Sequence, residues 1–135
     1  MDIRDAQKSD LGKVSELIKD GAKEGLLLKR TKKELMSLIK AENVVVAEEN
    51  NELVGIIILD FYSKRLSEMR SLYVKPEQRR NGIGSQLIKA VFAKAKQKKV
   101  KELLTITVKE NTPWFKKQGF NEETHHLKVA LFKKL

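Results

Sequence analysis

The sequence predicts one mixed α/β (α+β) domain, residues 1–135, with the element order βααβββαβαβ around a mixed sheet. Three observations carry this. Apolar residues recur at helical spacing on both sides of a central β-branched stretch, an Asn50-Asn51 turn divides that stretch into a hairpin, and no repeat, low-complexity tract or Ser/Gly/Pro linker interrupts the 135 residues.

Residues 2 to 6 read as a short strand. Ser9 then stands as an N-cap before Leu11, Val14, Leu17, Ile18 and Ala22, which share one helical face. Gly21 and Gly25 bracket a break. Thr31 and Glu34 form a capping box for a second helix carrying Leu35, Leu38 and Ile39. At Asn43 the period changes. Val44, Val45 and Val46 open a strand, Asn50 and Asn51 turn the chain, and Leu53 to Phe61 returns it, with Gly55 marking a bulge or a close approach. Ser63 to Arg65 suit the next turn, and Ser67 to Val74 is a third strand. Beyond Pro76, the residues Leu87, Ile88, Val91, Phe92 and Ala95 mark the clearest helix, with Lys89, Lys94, Lys96 and Lys98 expected outside. Val100 to Val108 reads as a strand, Pro113 as the first turn of a short helix ended by Gly119, and His126 to Phe132 as a final strand.

Composition narrows the function. With no cysteine, a disulfide framework, a cysteine nucleophile and a cysteine-based metal site are excluded, and two histidines cannot build a metal site alone. His125 and His126 read as strand-edge residues rather than ligands or catalytic bases. The N-terminus has no apolar h-region and no apolar run approaches the length of a membrane span, so a cytoplasmic protein without a membrane partner is expected. The net charge of +10 favours an anionic partner, but with 6% aromatic residues the stacking surface of a single-strand binder is missing. Nucleic acid is therefore not expected as the primary ligand. The lysines from Lys94 to Lys101 read as a solvated helix face whose cations suit the C-terminal dipole.

The most informative stretch runs from Leu72 to Gly84, a strand followed by a glycine turn and a helix N-terminus. Such a turn aims successive backbone N–H groups at one point, adds the positive end of a helix dipole and removes side chains where a phosphate must approach. There is no Gly-Lys-Ser/Thr ending and no third glycine, so nucleoside triphosphate and dinucleotide fingerprints both fail.

The stretch resembles the acetyl-CoA signature of the GNAT superfamily of N-acetyltransferases, Gln/Arg-x-x-Gly-x-Gly/Ala, met by Arg79-x-x-Gly82-x-Gly84. The element order and Gly119-Phe120 after the last helix extend the resemblance along almost the whole chain. It implies a mixed, mostly antiparallel sheet flanked by helices. It also implies acetyl-CoA as cofactor, with its pyrophosphate on the amides of Arg79, Arg80, Asn81, Gly82, Ile83, Gly84 and Ser85. Its pantetheine arm would lie along the backbone of Leu72, Tyr73 and Val74, and Asn111 is assigned to the same ligand. Gly25-Leu26-Leu27-Leu28-Lys29-Arg30-Thr31, Glu68, and Trp114-Phe115 resemble one branch, the N-acetylglutamate synthases and their single-domain relatives.

By that resemblance Glu68 is the general base and Thr107 the acid, with Thr105 as the alternative. Phe115 occupies the position where many superfamily members carry a proton-donating tyrosine, and a phenyl ring has no O–H to give. A base is needed because an α-amino group with pKa about 8 is mostly protonated at neutral pH. Lys29, Arg30 and Arg70 are candidates for the carboxylates of an acidic acceptor such as glutamate, since guanidinium matches carboxylate in two-point geometry. The partner is then a small-molecule amine, with no metal. Dimerisation is common in the superfamily, and the last strand offers an edge for a homodimer. Other readings are acetylation of a polyamine or a protein N-terminus, a non-catalytic acyl-CoA sensor, and a nucleic-acid binder.

Overall fold

The structure is a computed structural model that describes residues 1–122 and 133–134. The expected strand from His126 to Phe132, and with it His125 and the proposed dimer edge, lies outside the described residues. The described strands are β1 (Asp2–Asp5), β2 (Val44–Glu49), β3 (Glu52–Asp60), β4 (Leu66–Val74) and β5 (Glu102–Leu104). They form one sheet in sequential order. Pairing is antiparallel from β1 to β4, and β5 runs parallel to β4. Helices α1 (Leu11–Lys23) and α2 (Lys32–Lys40) pack on one face, with α3 (Ile83–Gln97) and α4 (Thr112–Lys117) on the other.

Burial on both faces explains why β2 and β3 are apolar without alternation. Val44, Val46, Ile56 and Ile58 face α1 and α2, whereas Val45, Ala47, Ile57 and Leu59 face α3. On α1 the predicted face is buried through Val14, Leu17 and Ile18, each contributing roughly 1.5–3 kcal/mol by leaving water. The turn between β2 and β3 is made by Asn50 and Asn51 at φ 51° and 63°, left-handed values that asparagine tolerates and that match strand twist. Gly55 marks a close approach: a Cβ there would stand 3.1 Å from Leu87 Cδ1 on α3.

Several local expectations are corrected. Ser9 is not the cap of α1. A short 3-10 turn, Lys8–Asp10, precedes the helix, and Asp10 closes it by accepting from Gln7 N–H (2.7 Å) and from Arg4 (2.8 Å). The break bracketed by Gly21 and Gly25 is present, since α1 ends at Lys23, and Leu27 folds back onto the space a Cβ at Gly21 would fill. Lys94 is not on a solvated face. It is buried with its ammonium 2.7 Å from Asp5 Oδ1. Lys98 turns inward to donate to Ala41 O and Asn43 Oδ1.

The four helices among the described residues end in the same way. After α1 and α4 the left-handed residue is Gly25 or Gly119, and after α2 and α3 it is Glu42 or Lys99. In each case the next N–H bonds five residues back, as Phe120 N–H does to Phe115 O at 3.2 Å. Phe115 and Phe120 also stack edge-on at 5.7 Å, the apolar contact that accompanies this motif.

Candidate active site

The parallel pairing of β4 and β5 lasts for three residues, ending at Glu68 opposite Leu104. The predicted strand from Val100 to Val108 is thus limited to Glu102–Leu104. Thr105 makes the last link, its hydroxyl donating to Met69 O at 3.2 Å. Beyond it the two segments part. On the other side of β4, Ile56 pairs with Tyr73 and Ile58 with Arg70, so Ser71 and Leu72 together stand opposite Ile57. Ser71 takes φ 57°. A bulge of this kind bends the strand and frees one edge, and a cleft of about 660 Å³ opens there.

Glu68 and Arg70 stand at one end of the cleft, Ser71, Leu72 and Val74 along its length, and Arg79, Arg80, Gly82, Ile83, Gly84 and Ser85 at the other end. Thr105, Thr107, Asn111, Trp114 and Phe115 form the opposite wall, and Leu26 to Leu28 overhang it. Most of the sequence-predicted residues are thereby brought together. Tyr73 and Asn81 are absent from the lining. The Tyr73 side chain turns to the opposite face of the sheet and joins the core beneath α1. Lys29 is exposed and does not line the cleft either.

The far end is built for an anion. Arg80 and Gly82 are left-handed, at φ 69° and 76°, and flank Asn81 so that consecutive N–H groups curl toward one point. Gln86 is the first α3 residue to bond back, to Gly82 O at 3.1 Å. Among the described residues the N–H groups from Arg80 to Ser85 therefore have no partner, and they sit at the positive end of a fifteen-residue helix. Gly84 lacks a side chain where Trp114 crosses, since a Cβ would lie 3.3 Å from Trp114 Cζ2. Arg79 is held from three sides. It donates to Val74 O (2.9 Å) and to both Glu24 oxygens (3.1 Å), and it lies over the Tyr73 ring. Tyr73 also donates to Glu24. Burial and that carboxylate push the Tyr73 phenol up to about 12, while the same hydrogen bond, with Arg79, holds Glu24 below its ordinary value.

At the near end Glu68 is buried, and its carboxylate accepts from the Tyr62 hydroxyl at 2.7 Å. Burial and the Glu68 charge raise the Tyr62 phenol above its usual value. Asp60, which pairs with Glu68 across β3 and β4, takes a two-point grip from Arg30 at 2.9 and 3.3 Å. Arg30 also donates to Ser71 Oγ at 3.1 Å. Its charge is thus matched within the fold, and it is not in the cleft lining. Arg70 lies between the two acids, its Nε 3.7 Å from Asp60 and 3.8 Å from Glu68. Sequence reasoning missed Asp60, Tyr62, Ser71 and Glu24. None has a local signal, because each acquires its meaning from a partner across the sheet or on another element. Thr107 accepts from Asn111 Nδ2 at 3.0 Å.

The sequence profile of the acetyltransferase (GNAT) domain matches residues 40–122, more than half of the chain. An uncharacterized N-acetyltransferase of Chlorobaculum tepidum is 31% identical over 120 residues, covering 89% of this chain and 75% of that protein. An amino-acid acetyltransferase of Aliivibrio fischeri is 30% identical over 126 residues, covering 93% of this chain and 28% of that protein. The chain therefore spans little more than a quarter of that relative's length. Two solved structures share the fold. N-acetylglutamate synthase from Neisseria gonorrhoeae, complexed with coenzyme A and N-acetyl-glutamate, has TM-score 0.81 and 24% identity over 91% of this chain and 28% of that one. A Mycobacterium tuberculosis protein in complex with CoA has TM-score 0.82 and 23% identity over 96% and 77%. The opened β4 edge, the amide cradle of α3 and these matches lead to one assignment: the chain belongs to the GNAT family of acetyltransferases.

Proposed function

We propose that the protein transfers an acetyl group from acetyl-CoA to the primary amine of a small acidic amino acid, with glutamate as the first acceptor to test. The observation that carries this reading is the cleft itself, with unpartnered amides at one end and a buried carboxylate at the other. The residues fit the cofactor: the N–H groups from Arg80 to Ser85 suit a pyrophosphate, and the absence of a Cβ at Gly84 makes room for the Trp114 ring beside them. The free edge of Leu72 to Val74 suits the amides of a pantetheine arm, as an added strand would. When bound, acetyl-CoA supplies the acetyl group as an activated thioester.

The protein's own residues then supply orientation and proton transfer. Glu68 acts as general base on the acceptor ammonium, since the amine must lose a proton before it can attack. Tyr62 holds that carboxylate by its hydrogen bond at 2.7 Å. With no cysteine in the chain, attack is direct and forms no thioester on the enzyme. Thr107 and Thr105 are the hydroxyls of the opposite wall available to the leaving thiolate, and Thr107 is the choice because Thr105 is already bonded to Met69 O. An amino-acid acceptor is supported by the relatives named as amino-acid acetyltransferases and by Arg70 beside the base.

Free-thiol release from acetyl-CoA, followed with a panel of amino acids and polyamines for wild type and Glu68→Gln, tests the proposal. Glutamate-dependent release that falls at least 100-fold in the variant is expected. Tight acetyl-CoA binding without turnover on any amine would instead identify a sensor.

A further inference from the structure

The four charges at the near end are paired unequally. Arg30 and Asp60 saturate each other through a fork, with side chains only 10% and 13% exposed. Glu68 is equally covered, at 12%, whereas the Arg70 side chain is 35% exposed and lines the cleft. Arg70 is within ion-pair reach of Asp60 and Glu68, yet both separations exceed a hydrogen bond. Its guanidinium is therefore the cation of this cluster that a ligand can meet.

This arrangement selects among amines. A lone ammonium arriving at Glu68 would sit beside the Arg70 charge and be repelled. An ammonium that carries its own carboxylate on the adjacent carbon reverses that term, because the carboxylate can take the Arg70 fork while the nitrogen takes Glu68. Glu68 and Arg70 are two residues apart on β4 and so project to the same side, both into the cleft. We propose that Arg70 makes the site selective for α-amino acids by binding the acceptor's α-carboxylate, and that Asp60 is a positioning residue which occupies Arg30 and steadies Arg70 beside Glu68. Arg30 is then a clamp between the loop before α2 and the β4 bulge, not a second carboxylate receptor.

The inference rests on the acceptor class proposed above, so its test separates the two. Binding to the protein with coenzyme A present would be measured by calorimetry for glutamate and for 4-aminobutyrate, which keeps the amine and the distal carboxylate but lacks the α-carboxylate. Wild type should bind glutamate at least tenfold more tightly. Arg70→Gln should weaken glutamate about 10- to 100-fold and leave 4-aminobutyrate within a few-fold, removing the preference. Asp60→Asn leaves the Arg30 charge unmatched and risks unfolding, so Asp60→Asn with Arg30→Gln is measured as well. The double variant should keep kcat and raise the KM for glutamate several-fold. An unchanged glutamate preference in Arg70→Gln, or a wild type that binds neither compound, overturns the inference. Arg70-dependent binding without acetyl transfer would overturn the proposed reaction and leave the inference standing.

Discussion

Gly55 ties the packing of the sheet to the glycine turn before α3, and Gly55→Ala tests that link directly. An added Cβ would stand 3.1 Å from Leu87 Cδ1, 3.3 Å from Ile83 Cγ2 and 3.3 Å from the carbonyl oxygen of Tyr73. Leu87 and Ile83 are buried, and the third neighbour is backbone of a paired strand, so none can yield freely. Overpacking of this sort costs about 1–3 kcal/mol, offset in part by about 0.5–1 kcal/mol from alanine's better strand propensity. For a chain of this length the unfolding entropy is roughly 0.28 kcal/mol/K, so a net loss of ~1–2 kcal/mol lowers Tm by about 4–7 °C. Because Ile83 opens α3, its displacement also moves the free amides, and acetyl-CoA affinity should fall. Gly12→Ala is the matched control. Nothing lies within 4 Å of its Cβ position in the first turn of α1, and the change should stabilise by about 0.4–1 kcal/mol. Thermal and urea unfolding of the two variants with calorimetric cofactor titration decide the matter. A Gly55→Ala protein as stable as wild type, or two variants moving in the same direction, would refute the packing argument.

Glu42 and Lys99 end α2 and α3 in left-handed geometry at φ 59° each, so Glu42→Gly and Lys99→Gly should each raise stability by about 0.5–1 kcal/mol. Lys99→Ala removes the same charge without the glycine's freedom and should show no such gain, and an equal gain there would assign the Lys99→Gly effect to charge. The chain's two tyrosines, Tyr62 and Tyr73, are both raised above the ordinary phenol value. Absorbance titration of the native protein should find no phenolate midpoint at about 10. Folding stability contributed by neutral Tyr73 is present below the unfolded value and lost as pH climbs toward about 12. Arg4, followed by the Gln7 amide, holds Asp10 below its usual carboxylate value. Its contribution is complete above the unfolded pKa and disappears as pH falls through the folded one, so Asp10→Asn should flatten the acid limb of a stability–pH curve below about pH 4. An acid limb identical to wild type would remove Asp10 from the explanation.

What the sequence alone determined is what local sterics and short-range periodicity control. The helical faces of α1 and α3, the Asn50-Asn51 hairpin, the Thr31 cap, which accepts from Glu34 N–H at 3.1 Å, and the left-handed Gly119 all follow from neighbours within a few residues. So does the anion cradle, because a glycine turn running into a helix N-terminus carries its free N–H groups wherever it is placed. Tertiary structure decided which charges meet. Arg30, read as a ligand for the acceptor, is claimed by Asp60 thirty residues away. Lys94, read as solvated, is claimed by Asp5. Arg79 is oriented by Glu24 from the end of α1. The length of β5 and the Ser71 bulge, which together open the cleft, depend on how far two strands can stay in register while one of them bends. A side chain's pairing across a sheet has no period along the chain, since the partner is selected by strand register and by the burial that makes an unmatched charge costly.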